Sequence, residues 1–159
     1  MLDAEGVIAL LQLKPLAFEG GYYQQTYKSD FGTAIYYFLT SVPQSFSVLH
    51  TLPYDELWHF YAGDAIALLM LHPNGNGETH VLGNKLEEGQ RPQITVPAGV
   101  WQGARIVPGG KWALMGTTMA PAFNPDGFIR GRRKELLSKY PKFNEKILDL
   151  TWEEDDATA

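Results

Sequence analysis

The 159-residue chain contains no cysteine. This absence excludes disulfides, thiol nucleophiles, iron–sulfur clusters and cysteine-ligated zinc sites, and it suits a reducing compartment. Long apolar runs are also missing, because the longest, 65–71, is far shorter than the roughly 20 residues that a helix needs to cross a bilayer. The N-terminus lacks the features of a secretory signal. We therefore expect a cytoplasmic protein with no membrane partner.

Positive charge is scarce. The chain has 13 Lys and Arg against 18 Asp and Glu, which gives a net charge of −5. Its one dense basic cluster, 130–134, lies near the C-terminus. Nucleic-acid-binding domains usually present a broad basic surface, so we expect no nucleic-acid partner. The chain also lacks glycine motifs for phosphates or dinucleotides, and we predict no cofactor.

Aromatic residues, glycine and proline are plentiful, as is typical of short strands joined by tight turns over an aromatic core. Strands are predicted at 33–40, 46–52, 56–61, 65–71, 78–82, 93–96, 100–107 and 111–119, with another inside 19–27. Eight or more antiparallel strands at this spacing predict an all-β sandwich or barrel, and the count fits a double-sheet jelly roll. A ligand would bind at the mouth of such a barrel.

Helical periodicity is confined to the two ends of the chain. Apolar residues behind a capping Asp3 predict a helix over 3–13, and further helices are predicted at 132–140 and 143–150. No repeat or interior linker is present. We predict one domain over 1–159, with its core at about 15–120 and an unstructured tail from about 152.

The stretch 50–63 combines ionisable and aromatic side chains. Strand alternation within it puts two sets of side chains on opposite faces: Glu56, Trp58 and Phe60 on one, and Leu57, His59 and Tyr61 on the other. Burying a carboxylate among aromatic rings without a partner costs several kcal/mol. Glu56 and whatever shares its face are therefore candidates for a functional site.

Two spaced motifs resemble those of a known family. His50-x-Leu52, three residues, Glu56, six residues and Gly63 is similar to the first cupin motif, His-x-His, three or four residues, Glu, six residues and Gly. Pro97-Ala98-Gly99, two residues and Gln102 is similar to the second, Pro-x-Gly, two residues and His. With the strings at 19–23, 33–36, 55–64 and 96–105, the chain resembles the small stand-alone cupins of the Cupin_5 type, a domain of unknown function, over about 10–140. The resemblance implies a cupin jelly-roll β-barrel, or double-stranded β-helix, with a pocket inside and a homodimeric assembly.

The departures from the cupin pattern bear on metal binding. Leu52 and Gln102 stand where the motifs place histidines, so only His50 and Glu56 remain as strong ligands. A transition metal needs three or four good donors, and we therefore predict a largely metal-free pocket. The alternative is a metal held by His50, Glu56 and Gln102. Gln25 is a further departure, because relatives commonly carry glutamate there.

The remaining side chains predict a site for a small polar molecule, a nucleotide or nucleotide-sugar. Gln102 can donate and accept hydrogen bonds, Trp58 can stack on a ring, and Arg105 lies near the rim, where a phosphate could be reached. Lys28 and Lys111 are weaker candidates for the same contact. The predicted ligand-binding residues are Tyr22, Tyr23, Gln25, His50, Glu56, Trp58, Gln102 and Arg105.

A second hypothesis is an isomerase or epimerase. Metal-free epimerases of keto-sugar nucleotides, which are structural relatives of this family, use a histidine–carboxylate base and a tyrosine acid. By this resemblance His50, paired with Glu56, would be the general base, with an acid from the set Tyr22, Tyr23, Tyr36 and Tyr37. In the first hypothesis, His50 and Glu56 form hydrogen bonds to each other, and the protein binds a ligand without catalysing a reaction. Because 33–39 and 65–71 are apolar on both faces, we also predict a homodimer.

Overall fold

The computed structural model describes residues 1–153 and contains eleven strands and three α-helices in that range. The helices are α1 (Ala4–Leu11), α2 (Arg133–Lys139) and α3 (Asn144–Asp149). The strands are β1 (Lys14–Pro15), β2 (Tyr22–Lys28), β3 (Thr33–Thr40), β4 (Ser47–Thr51), β5 (Glu56–Gly63), β6 (Ile66–Leu71), β7 (Gly77–Leu82), β8 (Gln93–Val96), β9 (Trp101–Ile106), β10 (Trp112–Met119) and β11 (Ile129–Arg130).

The strands form two antiparallel sheets. The first has the order β1-β2-β3-β10-β5-β8, and the second has the order β11-β4-β9-β6-β7. Side chains from both sheets meet in one apolar cluster that includes Tyr37, Trp58 and Met115 from the first and Leu68 and Ala104 from the second. The fold is therefore the predicted double-sheet jelly roll with short terminal helices.

The outer face of the first sheet is covered in part by α1. The Asp3 carboxylate caps this helix by accepting a hydrogen bond from the Gly6 amide at 2.9 Å, as the sequence predicted. Val7 of the helix and the following Leu13 pack on Phe38 of β3. This packing explains why β3 is apolar on both faces.

The outer face of the second sheet is covered by the C-terminal helices. Leu69 and Leu71 of β6 pack against Leu136 of α2, Ile147 of α3 and the intervening Tyr140. The Tyr140 hydroxyl donates to the His72 carbonyl at 2.8 Å and ties the helices to the end of β6. The two-sided strands for which a homodimer was predicted are thus covered within one chain.

A glycine turn before β2 sets the position of Glu19. Gly20 and Gly21 have φ of 105° and 71°, a backbone conformation that favours glycine. A Cβ at Gly20 would collide with the Phe46 carbonyl. The Val48 amide donates to the Glu19 carbonyl at 3.0 Å, and the Tyr37 hydroxyl donates to the Gly20 carbonyl at 2.7 Å. These contacts anchor the turn to both sheets.

Thr151 and Trp152, near the end of the described range, make defined contacts. The Arg130 guanidinium lies 4.5 Å from the centre of the Trp152 ring, and Thr151 is buried. The rest of the predicted tail, 154–159, lies outside the described residues. Within 1–153, every helix is too short or too polar to cross a membrane.

Candidate functional site

A cavity of about 460 Å³ opens at one end of the barrel, where β3 and β5 begin and β10 ends. Its walls combine charged, amide, hydroxyl and aromatic side chains. The lining residues are Lys14, Leu16, Phe18, Glu19, Tyr23, Gln24, Gln25, Lys28, Thr33, Ile35, Leu52, Glu56, Thr117, Met119, Phe123 and Pro125. Size and mixed lining are typical of sites for small organic molecules.

Glu56 is the buried acid of this cavity. It faces inward from the first residue of β5 and is only 8% exposed. Burial, and secondly the negative charge of Glu19, raise the pKa of Glu56 to about 8, although the Thr117 hydroxyl and the Gln102 amide oppose the rise. Glu56 therefore keeps its proton at neutral pH and can donate as well as accept a hydrogen bond.

Glu19 is the second acid, and the sequence analysis included it only within the strings that carry the family resemblance. Its Oε2 accepts a hydrogen bond from Ser47 Oγ at 2.8 Å, and its Oε1 lies 3.9 Å from His50 Nε2. The only local signal in the sequence was that two glycines follow this glutamate. Nothing in the chain order indicated that this turn meets β4 and β5.

His50 lies behind the cavity wall rather than in it. It is fully buried, stacks on Phe128 with ring centres 4.6 Å apart, and is not among the lining residues. Its Nδ1 donates to the Val48 carbonyl at 2.7 Å. The carboxylate beside its Nε2 belongs to Glu19, at 3.9 Å, so the predicted His50–Glu56 pair does not form in this structure.

The four tyrosines proposed as acids occupy different places. Tyr23 lines the cavity, with the Lys14 ammonium 5.5 Å from its ring centre. Tyr37 is buried, and its hydroxyl donates a hydrogen bond to the Gly20 carbonyl. Burial and then the charge of Glu19 hold the pKa of Tyr37 well above its ordinary value. Tyr22 and Tyr36 pack with the residues under α1 on the outer face of the sheet.

Of the other predicted contacts, Gln25 and Glu56 line the cavity, whereas Trp58, Gln102 and Arg105 do not. Trp58 Nε1 donates to Gln102 Oε1 at 2.8 Å, and both side chains are buried. Arg105 points outward and pairs with Asp149 of α3 at 2.8 Å. The structure therefore places neither Trp58 nor Arg105 on the cavity, and their contacts with a ligand stay predictions.

Lys14 and two phenylalanines were the main omissions, and Lys28 was named only as a weaker candidate. Lys14 and Lys28 are exposed and line the opening of the cavity, whereas Lys111 does not line it. Phe18 and Phe123 lie nearly parallel, with ring centres 6.1 Å apart and an interplanar angle of 9°. The Phe123 amide donates to Thr33 Oγ1 at 2.9 Å, which holds the crossing segment against the cavity.

The donor set does not fit a transition metal. Leu52 supplies an apolar wall, and the Gln102 oxygen already accepts from Trp58, which leaves its NH₂ group directed to Glu56. An NH₂ group cannot ligate a cation. Across residues 1–153, no group of three or more His, Asp or Glu side chains is placed to hold an ion. The alternative set of His50, Glu56 and Gln102 is therefore not assembled.

Comparisons with known proteins agree with this fold. Residues 5–129 match the family described as "Cupin superfamily (DUF985)". Protein SO0799 from Shewanella oneidensis is 31% identical, with 96% of this chain and 99% of that chain covered and a TM-score of 0.88. A hypothetical protein from Leishmania major is 28% identical, with 96% and 100% covered and a TM-score of 0.85.

A more distant likeness concerns the fold alone. Oxalate decarboxylase from Bacillus subtilis is 14% identical, with 83% of this chain and 36% of that chain covered and a TM-score of 0.56. No curated protein matches the chain. The comparisons therefore supply a fold and a family, and the function has to be argued from the cavity.

Proposed function

The chain belongs to the DUF985 family of the cupin superfamily, and from that premise we propose that its cavity binds a small polar organic molecule, a nucleotide or nucleotide-sugar, without a metal. The observation that carries the proposal is the division of charge in the cavity. Lys14 and Lys28 lie at the opening, and the acids Glu19 and Glu56 lie further in. A ligand with a negative end and an uncharged polar end matches this arrangement.

The remaining walls support a sugar or a base. Gln24, Gln25 and Thr117 offer amide and hydroxyl groups that can pair with ribose hydroxyls or base edges. Phe18 and Phe123 provide the flat apolar surface that the sequence analysis assigned to Trp58. The volume of about 460 Å³ lies within the usual range for small-molecule sites, roughly 300–1,000 Å³.

Calorimetry with AMP, CMP, UMP and UDP-glucose tests the proposal. We expect at least one of them to bind. We expect Lys14→Gln and Lys28→Gln each to weaken binding severalfold, because an ammonium–phosphate contact is lost. Lys111→Gln is the matched control, since Lys111 is exposed but outside the cavity lining. No binding by the whole panel, or equal losses in all three variants, would contradict the proposal.

A second candidate function, an isomerase or epimerase acting on a keto-sugar nucleotide, is favoured by Glu56. A base or acid for proton transfer works best with a pKa near the working pH, and the pKa of Glu56, at about 8, meets this condition in the cavity that Tyr23 also lines. Solvent deuterium entering a carbon of a bound keto-sugar nucleotide would reveal the activity. Loss of exchange in Glu56→Gln would assign the base to Glu56, and loss in His50→Ala with retention in Glu56→Gln would return it to His50.

We also propose a location and an assembly for the protein. The proposed location is the cytoplasm. The proposed assembly is a homodimer, for which the exposed outer face of the first sheet is the candidate surface. Tyr61 is 51% exposed there and packs edge-to-face on Tyr36, with ring centres 6.1 Å apart. Light scattering at micromolar concentration checks the assembly, and a monomeric mass would refute it.

A further inference from the structure

We propose that the inner end of the cavity recognises an amino group of the ligand through Glu19 and Glu56, so that the site prefers amine-bearing ligands to their keto or hydroxyl counterparts. This inference rests on the proposed binding function and deepens it. Its basis is the position and hydrogen-bonding character of Glu19 and Glu56, the two acids that line the cavity.

Glu19 presents only acceptors to the cavity. One carboxylate oxygen is held by the Ser47 hydroxyl at 2.8 Å, which fixes the orientation of the group. The other oxygen, Oε1, lies 3.9 Å from His50 Nε2, and the Glu19 side chain lines the cavity. An ionised carboxylate can accept from a ligand but cannot donate to it.

The His50 ring lies behind Glu19. Its Nδ1 donates to the Val48 carbonyl at 2.7 Å, and its Nε2 lies 3.9 Å from Glu19 Oε1. The ring is fully buried and does not line the cavity, so it neighbours Glu19 rather than the ligand.

Glu56 completes the environment as a protonated acid. Burial and the nearby charge of Glu19 raise its pKa to about 8, so at neutral pH the two acids together carry one negative charge. An amino group brings N–H donors to this charge. A carbonyl oxygen in the same place would face the Glu19 carboxylate, and repulsion would weaken its binding, whereas a hydroxyl would bring one donor where an amino group brings two or three.

The same charges fix the direction in which a ligand enters. A phosphate at the inner end would meet Glu19, whereas at the opening it would meet Lys14 and Lys28. The amino group and the phosphate of a ligand must therefore lie at opposite ends of the cavity. Cytidine monophosphate has this arrangement, and uridine monophosphate differs from it chiefly by an oxygen in place of the amine.

Two matched ligand pairs test the inference by calorimetry: CMP against UMP, and glucosamine 6-phosphate against glucose 6-phosphate. We expect the amine-bearing member of at least one pair to bind roughly tenfold tighter or better, because it gains a hydrogen bond to a charged group. In Glu19→Gln the preference should fall to within about twofold, since an amide can turn its NH₂ toward a ligand oxygen. Glu88→Gln, an exposed site outside the cavity lining, is the control and should keep the preference.

The outcomes separate this inference from the proposed function. Equal binding of both members in each pair would overturn the inference and leave the binding function intact. Failure of all four ligands to bind would overturn both. If Glu19→Gln does not fold, wild-type protein with ¹³C-labelled glutamate carboxyls supplies the readout: CMP should shift the Glu19 resonance and UMP should not, and equal shifts would contradict the inference.

Discussion

The two ends of the barrel are built from the same strands but serve different purposes. At the closed end, inward positions carry Leu39 on β3, Phe60 on β5 and Ala113 on β10, packed with Ile66 and Ile106 of the second sheet. At the open end, the inward positions on the same three strands of the first sheet are Thr33, Glu56 and Thr117, and they line the cavity. Alternation of inward and outward side chains continues along each strand, and only the chemistry of the inward residues changes.

This contrast indicates where stability and binding reside. The closed end is an apolar cluster, so its side chains stabilise the fold through packing. The open end holds two acids in close proximity, of which Glu56 is almost fully buried, and such an arrangement opposes folding. Buried acids that destabilise a fold are common where binding or catalysis needs them. Changes at the two ends should therefore separate stability from function.

The largest expected effect is on stability at the closed end. Ile66→Ala should lower the free energy of unfolding by about 2–5 kcal/mol, because the side chain is fully buried and its removal leaves a cavity. Urea denaturation measures this loss. Nucleotide affinity of the folded variant should stay unchanged, and a parallel loss of affinity would break the separation between the ends.

The next effect is the pH dependence of stability at the open end. The folded-state pKa of Glu56 is about 8 against an ordinary 4.5, so the native state holds a proton that the unfolded chain releases between these values. Stability from this group is full below pH 4.5 and is lost as the pH rises through 8. Glu56→Gln removes this pH-dependent loss. The free energy of unfolding of the variant, relative to that of wild type, should therefore rise on the order of a few kcal/mol between pH 5 and pH 9. Parallel urea-derived stability curves for the two proteins would contradict the account.

A smaller effect is expected from the turn that positions Glu19. Gly20→Ala should destabilise by about 1 kcal/mol or more, since it adds a collision with the Phe46 carbonyl to the strain of a positive φ. Gly75→Ala is the matched control, because Gly75 also has a positive φ but has open space around its Cβ position. Thermal unfolding should show the larger loss in Gly20→Ala, and equal losses would mean that the turn tolerates a side chain.

The smallest effect is expected outside the barrel. Arg105→Ala removes a half-exposed ion pair with Asp149, and such pairs contribute roughly 0–1 kcal/mol. Because Arg105 does not line the cavity, nucleotide affinity should not change. A marked loss of affinity in calorimetry would restore the contact that the sequence analysis predicted and would place the phosphate elsewhere.

Much of the fold could be predicted from the sequence, because local patterns determine it. Strand β3 has the predicted bounds Thr33–Thr40, and β8 has the predicted bounds Gln93–Val96. The alternation in β5 placed Glu56 and Trp58 inward, and the structure confirms it. His59 faces outward, as predicted, and bonds to Thr118 Oγ1 at 2.9 Å.

The candidate site was only partly predictable, because it depends on contacts between distant segments. Glu19 reaches the site from the turn before β2, far from Glu56 in the sequence, and no local pattern links the two residues. His50 was assigned to the cavity from motif spacing, but its hydrogen bond to Val48 and its stacking on Phe128 hold it behind the wall. Arg105 follows strand parity outward, where α3 offers Asp149 as a partner.

The central claim is that the open end binds its ligand without a metal. Its most direct test is a calorimetric titration of the tightest-binding nucleotide into purified protein before and after treatment with a chelator, with metal content measured on the same sample. The account predicts equal affinity in both titrations and less than stoichiometric iron, manganese or zinc. Stoichiometric metal together with loss of all binding after chelation would contradict it.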